Sequence, residues 1–343
     1  MQIAILCEDG SPLGVTCKTI WGDHQRVGVG GSELALLTMC EEWTKIGHEV
    51  ILFNTPWEGG ASPFEQRPTS AFNTNDPYDV LIVHRTPNSK SDPSKAHLKV
   101  WWSHDQSTQG SFGGFAPKID KIVVISKYHQ QFFKEKFGIQ NAIPIPIPVR
   151  LPDYEGHDVK KIPHRLLFAS VPARGLDNVW RMWDEICQEA PDDMHLSILS
   201  DYRLWGCAPS DGLFRGRWAE KSRFSYRGAV ARAELIKEQL AADILFYPSN
   251  YDELFCVTVA EALVAGAYPI TSGIGALSET NLGTVIDVNA DDPRNDVTFV
   301  RSLIEFLNDD VLLERERQRA KAKAIELYVP DAILKQWEEK IFS

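Results

Sequence analysis

Two glutamates in the last third of the chain, Glu253 and Glu261, are the most informative side chains that could do chemistry. Seven residues separate them. The first follows Asp243–Ser249, an apolar stretch typical of a buried strand, and the second lies in an apolar helical segment that stops at Gly266. This order predicts one carboxylate at the carboxyl end of a parallel strand, where open α/β sheets bind ligands. The other carboxylate is predicted about two turns along the next helix.

The start of that helix offers further ligand groups. The backbone N–H groups of Phe255, Cys256, Val257 and Thr258 are expected near its N-terminus, where unpaired amides and the helix dipole favour phosphate. Glutamate pairs at this spacing are most often solvated helix faces, so the interpretation depends on the flanking sequence.

The flanking sequence carries a family resemblance. The segment ELFCVTVAEALVAGAYPI, preceded by a strand and Pro248–Ser249, resembles the E-x7-E signature of retaining GT-B glycosyltransferases of family GT4. The resemblance implies a nucleotide-sugar donor of the UDP- or GDP-sugar class, a hydroxyl acceptor and retention of anomeric configuration. It implies that Glu253 binds hydroxyls of the donor sugar and that Glu261 accepts hydrogen bonds from the ribose.

Two more segments extend the resemblance to the donor diphosphate. Ser170–Asp177, SVPARGLD, is similar to the S-x-P-x-R-G-L-D segment of one GT4 branch, which implies that Arg174 contacts the departing diphosphate. A fixed guanidinium stabilises the charge that grows there as the glycosidic bond breaks. Gly30 and Gly31 resemble the GT4 glycine turn that faces the diphosphate; a plain helix N-cap is the alternative. A dinucleotide fingerprint is excluded because Glu33 occupies its third glycine position.

A histidine follows an apolar strand in the first half of the chain. His104 comes directly after Lys99–Ser103 and resembles the GT4 histidine that lies between donor sugar and acceptor. The resemblance implies a hydrogen bond from His104 to a sugar hydroxyl; a satisfied structural histidine is the alternative. His84 and Arg85 are weaker acceptor-side candidates, and the long loop Glu8–Val27 suits either acceptor binding or a surface role.

The sequence departs from the GT4 pattern at two places. Many members carry a lysine shortly after the arginine, whereas Leu176–Arg181 contains none. Arg181, Arg203 and Arg227 are the candidates for a replacement. Cys256 stands where the family usually has glycine; its amide survives the change, but phosphate has less room to approach.

Composition and charge limit the function classes. The chain has 343 residues and 43% hydrophobic residues, which predicts two soluble domains of ordinary size. A net charge of −11 disfavours a broad surface for nucleic acid without excluding a local basic pocket. The segment Ser200–Arg223 interleaves basic and aromatic residues, which is typical either of a contact surface for a polyanion or of a mobile surface segment. The acceptor class stays open among a glycan, a lipid, a small molecule and a modified nucleobase.

Cysteine usage and hydropathy favour a cytoplasmic protein. Six cysteines show no CxxC pairing, which argues against a zinc site or a disulfide framework. No apolar run reaches membrane-spanning length, and the N-terminus lacks a charged leader. No Asp-x-Asp pair follows a strand, so we expect no obligatory metal or cofactor.

Strands alternate with helices in both halves, which predicts two parallel, doubly covered sheets. The proline-rich stretch Ala142–Pro152 predicts an extended linker between them. With the resemblance, the expected fold is α/β, of the GT-B type, with two facing Rossmann-like domains. The expected bounds are 1–148 for an acceptor-side domain, 149–328 for a nucleotide-sugar donor domain, and 329–343 for a C-terminal helix that packs back on the first domain.

Two rival functions share these features. A sugar-nucleotide epimerase of the GT-B fold would have the same donor site. A non-catalytic sugar-binding protein of two α/β domains would belong to a different class, and it would normally need an export signal. The identity of the donor sugar, the base and the acceptor is open at this point.

Overall fold

A computed structural model describes residues 1–8, 29–54, 62–202 and 211–343. The chain divides into two compact units. The first unit comprises Met1–Pro148 together with Pro330–Ser343, and the second comprises Val149–Val329.

Each unit is built on one β-sheet. The strands of the first unit are β1 Gln2–Cys7, β2 Glu49–Asn54, β3 Glu65–Pro68, β4 Val80–His84, β5 Leu98–Trp102, β6 Lys121–Val124 and β7 Ala142–Pro144. Those of the second unit are β8 Arg165–Phe168, β9 His195–Ile198, β10 Phe224–Tyr226, β11 Ile244–Tyr247, β12 Tyr268–Ser272 and β13 Thr284–Ile286. All pairings among these strands are parallel.

Helices connect the strands in both units. The described α-helices are α1 Gly31–Lys45, α2 Phe112–Phe115, α3 Lys127–Phe137, α4 Leu176–Glu189, α5 Asp211–Trp218, α6 Arg232–Ala241, α7 Val257–Ala265, α8 Leu277–Thr280, α9 Asp296–Leu307, α10 Asp310–Tyr328 and α11 Pro330–Trp337. A π-helical turn, Glu338–Phe342, follows α11. The inner strands β1, β4, β8 and β11 are buried almost throughout, as expected for parallel strands covered on both faces.

The order of the strands reverses once in each sheet. The first sheet runs β3-β2-β1-β4-β5-β6-β7, and the second runs β10-β9-β8-β11-β12-β13. The reversal therefore lies between β1 and β4 in one sheet and between β8 and β11 in the other. Ligands of doubly wound sheets bind beyond the carboxyl ends of the strands at such a switch point. The loops that follow these four strands are consequently where a site is expected.

The C-terminal helix belongs to the first unit through aromatic packing. Trp337 is fully buried, and its ring lies edge-on to Trp43 and Trp102 at centroid distances of 5.1 and 5.2 Å. Lys121 Nζ also donates to the backbone carbonyls of Lys340 and Ile341 at 2.9 Å each. Edge-on aromatic pairs add stabilisation beyond the area they bury, so these contacts anchor α11 to the first sheet.

The extended linker predicted from Ala142 is wrong for its first three residues. Ala142–Pro144 forms β7, which pairs with β6 as the edge strand of the sheet. An edge strand needs to donate hydrogen bonds on one side only, so the missing N–H of Pro144 is tolerated there. The sequence prediction also left out β3, β13 and the helices α2, α5, α8, α9 and α10. The helix α5 lies in Ser200–Arg223, which the sequence had indicated as irregular.

Candidate functional site

The switch point of the second sheet brings together two oppositely charged residues of the predicted site, Arg174 and Glu253. Arg174 lies in the loop that follows β8, and Glu253 lies in the loop that follows β11. These strands are neighbours, so two residues that are 79 positions apart in sequence meet at one carboxyl edge. Arg174 Nη1 donates to Glu253 Oε1 at 3.2 Å and to Oε2 at 3.4 Å.

Two glycines hold the loop that carries Glu253. A Cβ on Gly175 would lie 2.5 Å from the carbonyl oxygen of Pro248, and a Cβ on Gly275 would lie 2.5 Å from the carbonyl oxygen of Glu253. Both glycines have positive φ, at +112° and +59°, a region that other residues rarely adopt. Ala276 N also donates to Glu253 O at 2.7 Å. The loop is therefore enclosed by backbone that admits no side chain.

Burial and neighbouring groups shift the pKa of the Glu253 carboxyl in opposite directions. Its side chain is buried, and burial raises the pKa of its carboxyl above the usual value. The nearby charge of Arg174 and a hydrogen bond from Tyr247 Oη at 2.9 Å oppose that rise. Tyr247 Oη also lies 3.1 Å from Ser170 Oγ. Glu253 is thus one member of a hydrogen-bonded row at the switch point.

Arg174 is held by an aromatic ring as well as by Glu253. Its guanidinium carbon lies 3.9 Å from the centroid of the Tyr251 ring, which is close for a cation–π contact. Burial lowers the pKa of Arg174, but the Glu253 carboxylate outweighs this and the pKa is raised overall. A fixed, permanently charged guanidinium in this position is suited to stabilise an anion.

The helix after Glu253 begins as the sequence predicts. α7 starts at Val257, preceded by Phe255 and by Cys256 at its N-cap. Cys256 has φ +70°, in the left-handed region, which explains why glycine is the usual residue there in the resembling family. The Thr258 hydroxyl donates to the Ala169 carbonyl at 2.8 Å, so this side chain ties α7 to the end of β8.

Glu261 lies inside α7 and is buried in a second charged group. Arg232 Nη1 donates to Glu261 Oε1 at 3.0 Å, and Gln239 Nε2 donates to Oε2 at 3.1 Å. Arg232 is also paired with Asp153. Sequence reasoning missed Arg232, because it lies 29 positions from Glu261 and no local pattern marks it.

The arginines considered as replacements for the family lysine are engaged elsewhere. Arg181 Nε and Nη2 each lie 2.7 Å from the Asp296 carboxylate on α9. Arg227 pairs with Glu234 and Glu238 on α6. Arg203 lies outside the described residues. The structure therefore assigns neither Arg181 nor Arg227 to the neighbourhood of Arg174.

The corresponding edge of the first sheet carries two buried imidazoles. His104 follows β5 and His84 ends β4; both are buried, with ring centroids 4.7 Å apart. Both ring nitrogens of His104 and Nε2 of His84 lack a hydrogen-bond partner among the described residues. Burial lowers the pKa of each ring well below its usual value, assisted by the charge of Arg85. His104 is therefore a neutral ring with unused hydrogen-bonding capacity.

Gly30 and Gly31 lie at the N-terminus of α1, with Gly30 as the N-cap. The Glu33 carboxylate folds back over this turn, since a Cβ on Gly30 would come within 2.0 Å of Oε2. Arg85 Nη1 donates to Glu33 Oε1 at 2.7 Å, and its Nε donates to Asp105 at 2.8 Å. Arg85 also has φ +62°, an uncommon conformation that is often found at functional sites. The sequence indicated Arg85 only as a weak candidate and did not indicate this triad.

Several predicted features fall partly or wholly outside the described residues. The loop Glu8–Val27 is described at Glu8 alone. In the segment Ser200–Arg223, the described basic side chains contact aromatic rings or acids: Arg215 lies 4.5 Å from the Tyr226 ring, Lys221 lies 4.4 Å from the Trp180 ring, and Arg217 pairs with Asp177.

The described part of the chain contains no group of three or more His, Cys, Asp or Glu side chains arranged to hold a metal ion. Within those same residue ranges, none of the helices combines the length and apolar character needed to cross a membrane. Among the cysteines that the structure describes, Cys40, Cys187 and Cys256 form no disulfide.

Residues 221–326 match the family model of glycosyl transferases group 1. The matched segment contains Glu253, Glu261 and Arg232, whereas Arg174 and the first unit lie outside it. Among curated protein sequences, none matches the chain significantly.

Solved protein structures resemble the whole chain. HepE from Anabaena in complex with UDP and glucose has a TM-score of 0.72 at 15% identity, covering 100% of both chains. Sucrose-phosphate synthase from Thermosynechococcus elongatus also has a TM-score of 0.72 at 15% identity, covering 100% of this chain and 99% of that one. A glycosyltransferase from Rickettsia africae has a TM-score of 0.70 at 14% identity, covering 98% and 97%.

These likenesses confirm the predicted fold class: two parallel-sheet, Rossmann-like α/β domains that match structures of GT-B glycosyltransferases. At such low identity, the structural likeness speaks to the fold. The family match of residues 221–326 adds a likeness in sequence around the two glutamates. Residues 221–326 are thus similar to group 1 glycosyl transferases, and the whole chain has the fold of the GT-B structures.

Proposed function

We propose that this protein transfers a sugar from a nucleoside-diphosphate sugar to a hydroxyl acceptor, with retention of anomeric configuration, as in family GT4. The observation that carries the proposal is the Arg174–Glu253 pair at the switch point of the second sheet. It joins a permanent cation to a carboxylate directly before the N-terminus of α7. Cations and backbone N–H groups stabilise the oxygens of a diphosphate, and a carboxylate can accept hydrogen bonds from the hydroxyls of a sugar.

Arg174 would stabilise the charge that develops on the departing diphosphate. Its contacts with Glu253 and Tyr251 hold the guanidinium in place before the donor binds. Such preorganised charges lower a barrier because they need no reorganisation during the reaction. The backbone N–H groups of Val257 and Thr258, in the first turn of α7, would donate hydrogen bonds to phosphate oxygens.

Glu253 would accept hydrogen bonds from hydroxyls of the donor sugar. Its two oxygens already receive hydrogen bonds from Arg174 and Tyr247, so the carboxylate orientation is set. In GT4-like transfer, the acceptor attacks on the face that the diphosphate leaves, and the departing phosphate assists removal of the acceptor proton. Glu253 then acts as a binding group, and no protein nucleophile takes part.

The first unit would contribute through His104, Gly30 and Gly31, on the strength of the resemblance. A neutral His104 ring can both donate and accept a hydrogen bond to a sugar hydroxyl. The glycine amides at α1 would face phosphate. Charge on the donor would be met by arginine and amides, without an obligatory metal or cofactor.

The donor class follows from the relatives. HepE was crystallised with UDP and glucose and with UDP-glucose, which makes UDP-sugars the first donors to test, followed by GDP-sugars. The acceptor would be a hydroxyl-bearing glycan, lipid, small molecule or modified nucleobase.

The test begins with a thermal-shift screen of the purified protein against UDP- and GDP-sugars. Donors that bind are then incubated with candidate acceptors, with and without EDTA, and the linkage in the product is assigned by NMR. We expect release of nucleoside diphosphate, an α-linked product from an α-linked donor, and no loss of rate with EDTA. An inverted product would contradict retention. Epimer exchange without acceptor would indicate an epimerase, and binding of sugar without turnover would indicate a sugar-binding protein.

A further inference from the structure

The carboxylate of Glu261 lies in a buried hydrogen-bonded group that the resemblance does not account for. Arg232 Nη1 donates to one of its oxygens at 3.0 Å and Gln239 Nε2 donates to the other at 3.1 Å. Both donors are themselves fixed. Asp153 accepts from Arg232 Nε at 2.8 Å, and Tyr154 Oη donates to Gln239 Oε1 at 2.8 Å.

These hydrogen bonds use only some of the acceptor positions of the Glu261 carboxylate. An ionised carboxylate offers about four acceptor positions, two on each oxygen. Arg232 fills one position on Oε1, and Gln239 fills one position on Oε2. Counting donors among the described residues alone, one position on each oxygen is left over. A vicinal diol, whose two hydroxyl groups are neighbours, is a ligand that can donate to both oxygens at once.

The arrangement also keeps the carboxylate in one orientation. Arg232 is held on both sides, by Glu261 and by Asp153, and Asp153 in turn pairs with Arg150. Gln239 is fully buried, so its amide has no freedom to turn towards water. A carboxylate with one donor on each oxygen cannot rotate without breaking one of the two hydrogen bonds.

We infer that Arg232 and Gln239 are positioning residues that orient Glu261 to read the 2′- and 3′-hydroxyl groups of the donor ribose. The inference rests on the proposed function, because it takes a nucleotide as the ligand of this site. The resemblance already implies that Glu261 meets the ribose. The structure adds two residues that hold its carboxylate in place, Arg232 and Gln239.

The experiment measures nucleotide affinity by calorimetry, using UDP and GDP with their 2′-deoxy and 3′-deoxy analogues. In the unaltered protein, each missing hydroxyl should weaken binding about 10-fold or more, the usual effect of losing a hydrogen bond to a charged group. Arg232→Met and Gln239→Met should bring the ribose-to-deoxyribose ratio close to 1. Arg232→Lys, which keeps the charge and one donor, should restore part of the ratio.

The matched control is Arg317→Met. Arg317 is another arginine of the second unit with little exposure, 11% for its side chain, and it pairs with Asp243. This variant should lose stability through the same kind of broken ion pair. Its ribose-to-deoxyribose ratio should equal that of the unaltered protein. A merely structural role for Arg232 would give the same pattern as this control.

The outcomes separate the inference from the proposed function. If the unaltered protein binds neither UDP nor GDP nor their sugars, the proposed function fails and the inference fails with it. If it binds nucleotides but treats ribose and deoxyribose alike, the inference alone is overturned. A ratio that stays high in folded Arg232→Met or Gln239→Met also overturns it. Should Arg232→Met not fold, Gln239→Met and Arg232→Lys decide the question, since neither removes a charge.

Discussion

At the carboxyl edges of the two sheets, buried polar side chains are compensated in different ways. At the second sheet, the two arginines of the candidate site are paired with carboxylates: Arg174 with Glu253, and Arg232 with Glu261 and Asp153. At the first sheet, His84 and His104 are buried with ring nitrogens that have no described partner. Arg174, Glu253 and His84 lie at the ends of strands beside the reversal of strand order, whereas His104 follows the next strand of its sheet, β5.

The difference follows from what each side chain can do when it is buried. Arginine cannot lose its charge, so burial requires a carboxylate beside it. Histidine can become neutral, and its pKa falls when it is buried, so it needs no counter-charge. The second edge therefore holds its charges in fixed ion pairs. The first edge offers neutral imidazole nitrogens beside the ion pairs of Arg85 with Glu33 and Asp105.

The largest expected effect concerns acid stability of the first unit. His129, buried in this unit, has a pKa lowered to about 3, chiefly by burial, and the pKa values of His84 and His104 are lowered as well. The unfolded chain takes up protons below the ordinary pKa of 6.5, whereas the folded unit does not. Stability is therefore present above pH 6.5 and is lost as the pH falls towards 3, by on the order of 5 kcal/mol for His129 alone.

Hydrogen exchange of peptides, followed by mass spectrometry as the pH is lowered, checks this prediction. Between pH 6.5 and 4.5, the first unit should open before the second, where His195 is only partly buried. His129→Gln should reduce the pH slope, and the exposed His157→Gln should not. Simultaneous opening of both units would contradict the comparison.

The second prediction removes the cation at the edge of the second sheet. Arg174→Ala should lower turnover about 100-fold or more, since it deletes a preorganised charge and leaves Glu253 buried without its partner. Steady-state kinetics with the best donor measure the loss. Arg319→Ala, which breaks an exposed pair with Glu316, serves as control and should keep normal turnover. Near-normal turnover in Arg174→Ala would remove Arg174 from the leaving-group role.

The third prediction tests the enclosure of the Glu253 loop. Gly275→Ala and Gly156→Ala both place alanine at positive φ, +59° and +72°, which costs about 1–2 kcal/mol in either case. Only the first would also push a Cβ against Glu253, because nothing lies within 4 Å of the position at Gly156. Gly275→Ala should therefore lose about 1–3 kcal/mol more in urea unfolding, and turnover should fall with it. Equal losses in the two variants would show that the close approach is not needed.

The smallest expected effect concerns the ring over Arg174. Tyr251→Leu removes a cation–π contact of about 0.5–2 kcal/mol, so turnover should fall roughly 2- to 30-fold. Tyr251→Phe keeps the ring and should stay near the unaltered rate. If the leucine and phenylalanine variants have the same rate, Glu253 alone is sufficient to hold the guanidinium.

The sequence by itself determined the strands and helices near the site. The apolar runs before Arg174, Glu253 and His104 place each residue just beyond the end of a strand, because burial on both faces requires nearly continuous apolar residues. The start of α7 is equally local, whereas the left-handed backbone of its N-cap, Cys256, appears only in the structure. Short strands such as β13 and the proline-containing β7 escaped prediction because three residues carry little periodicity.

Tertiary structure alone decided which of these strand ends meet. β8 and β11 are neighbours only because the strand order reverses between them, and that adjacency joins Arg174 to Glu253. The same holds for Arg232 with Glu261 and for Arg181, whose guanidinium donates to Asp296. A guanidinium takes whichever carboxylate folding brings within reach, and sequence spacing does not encode that distance.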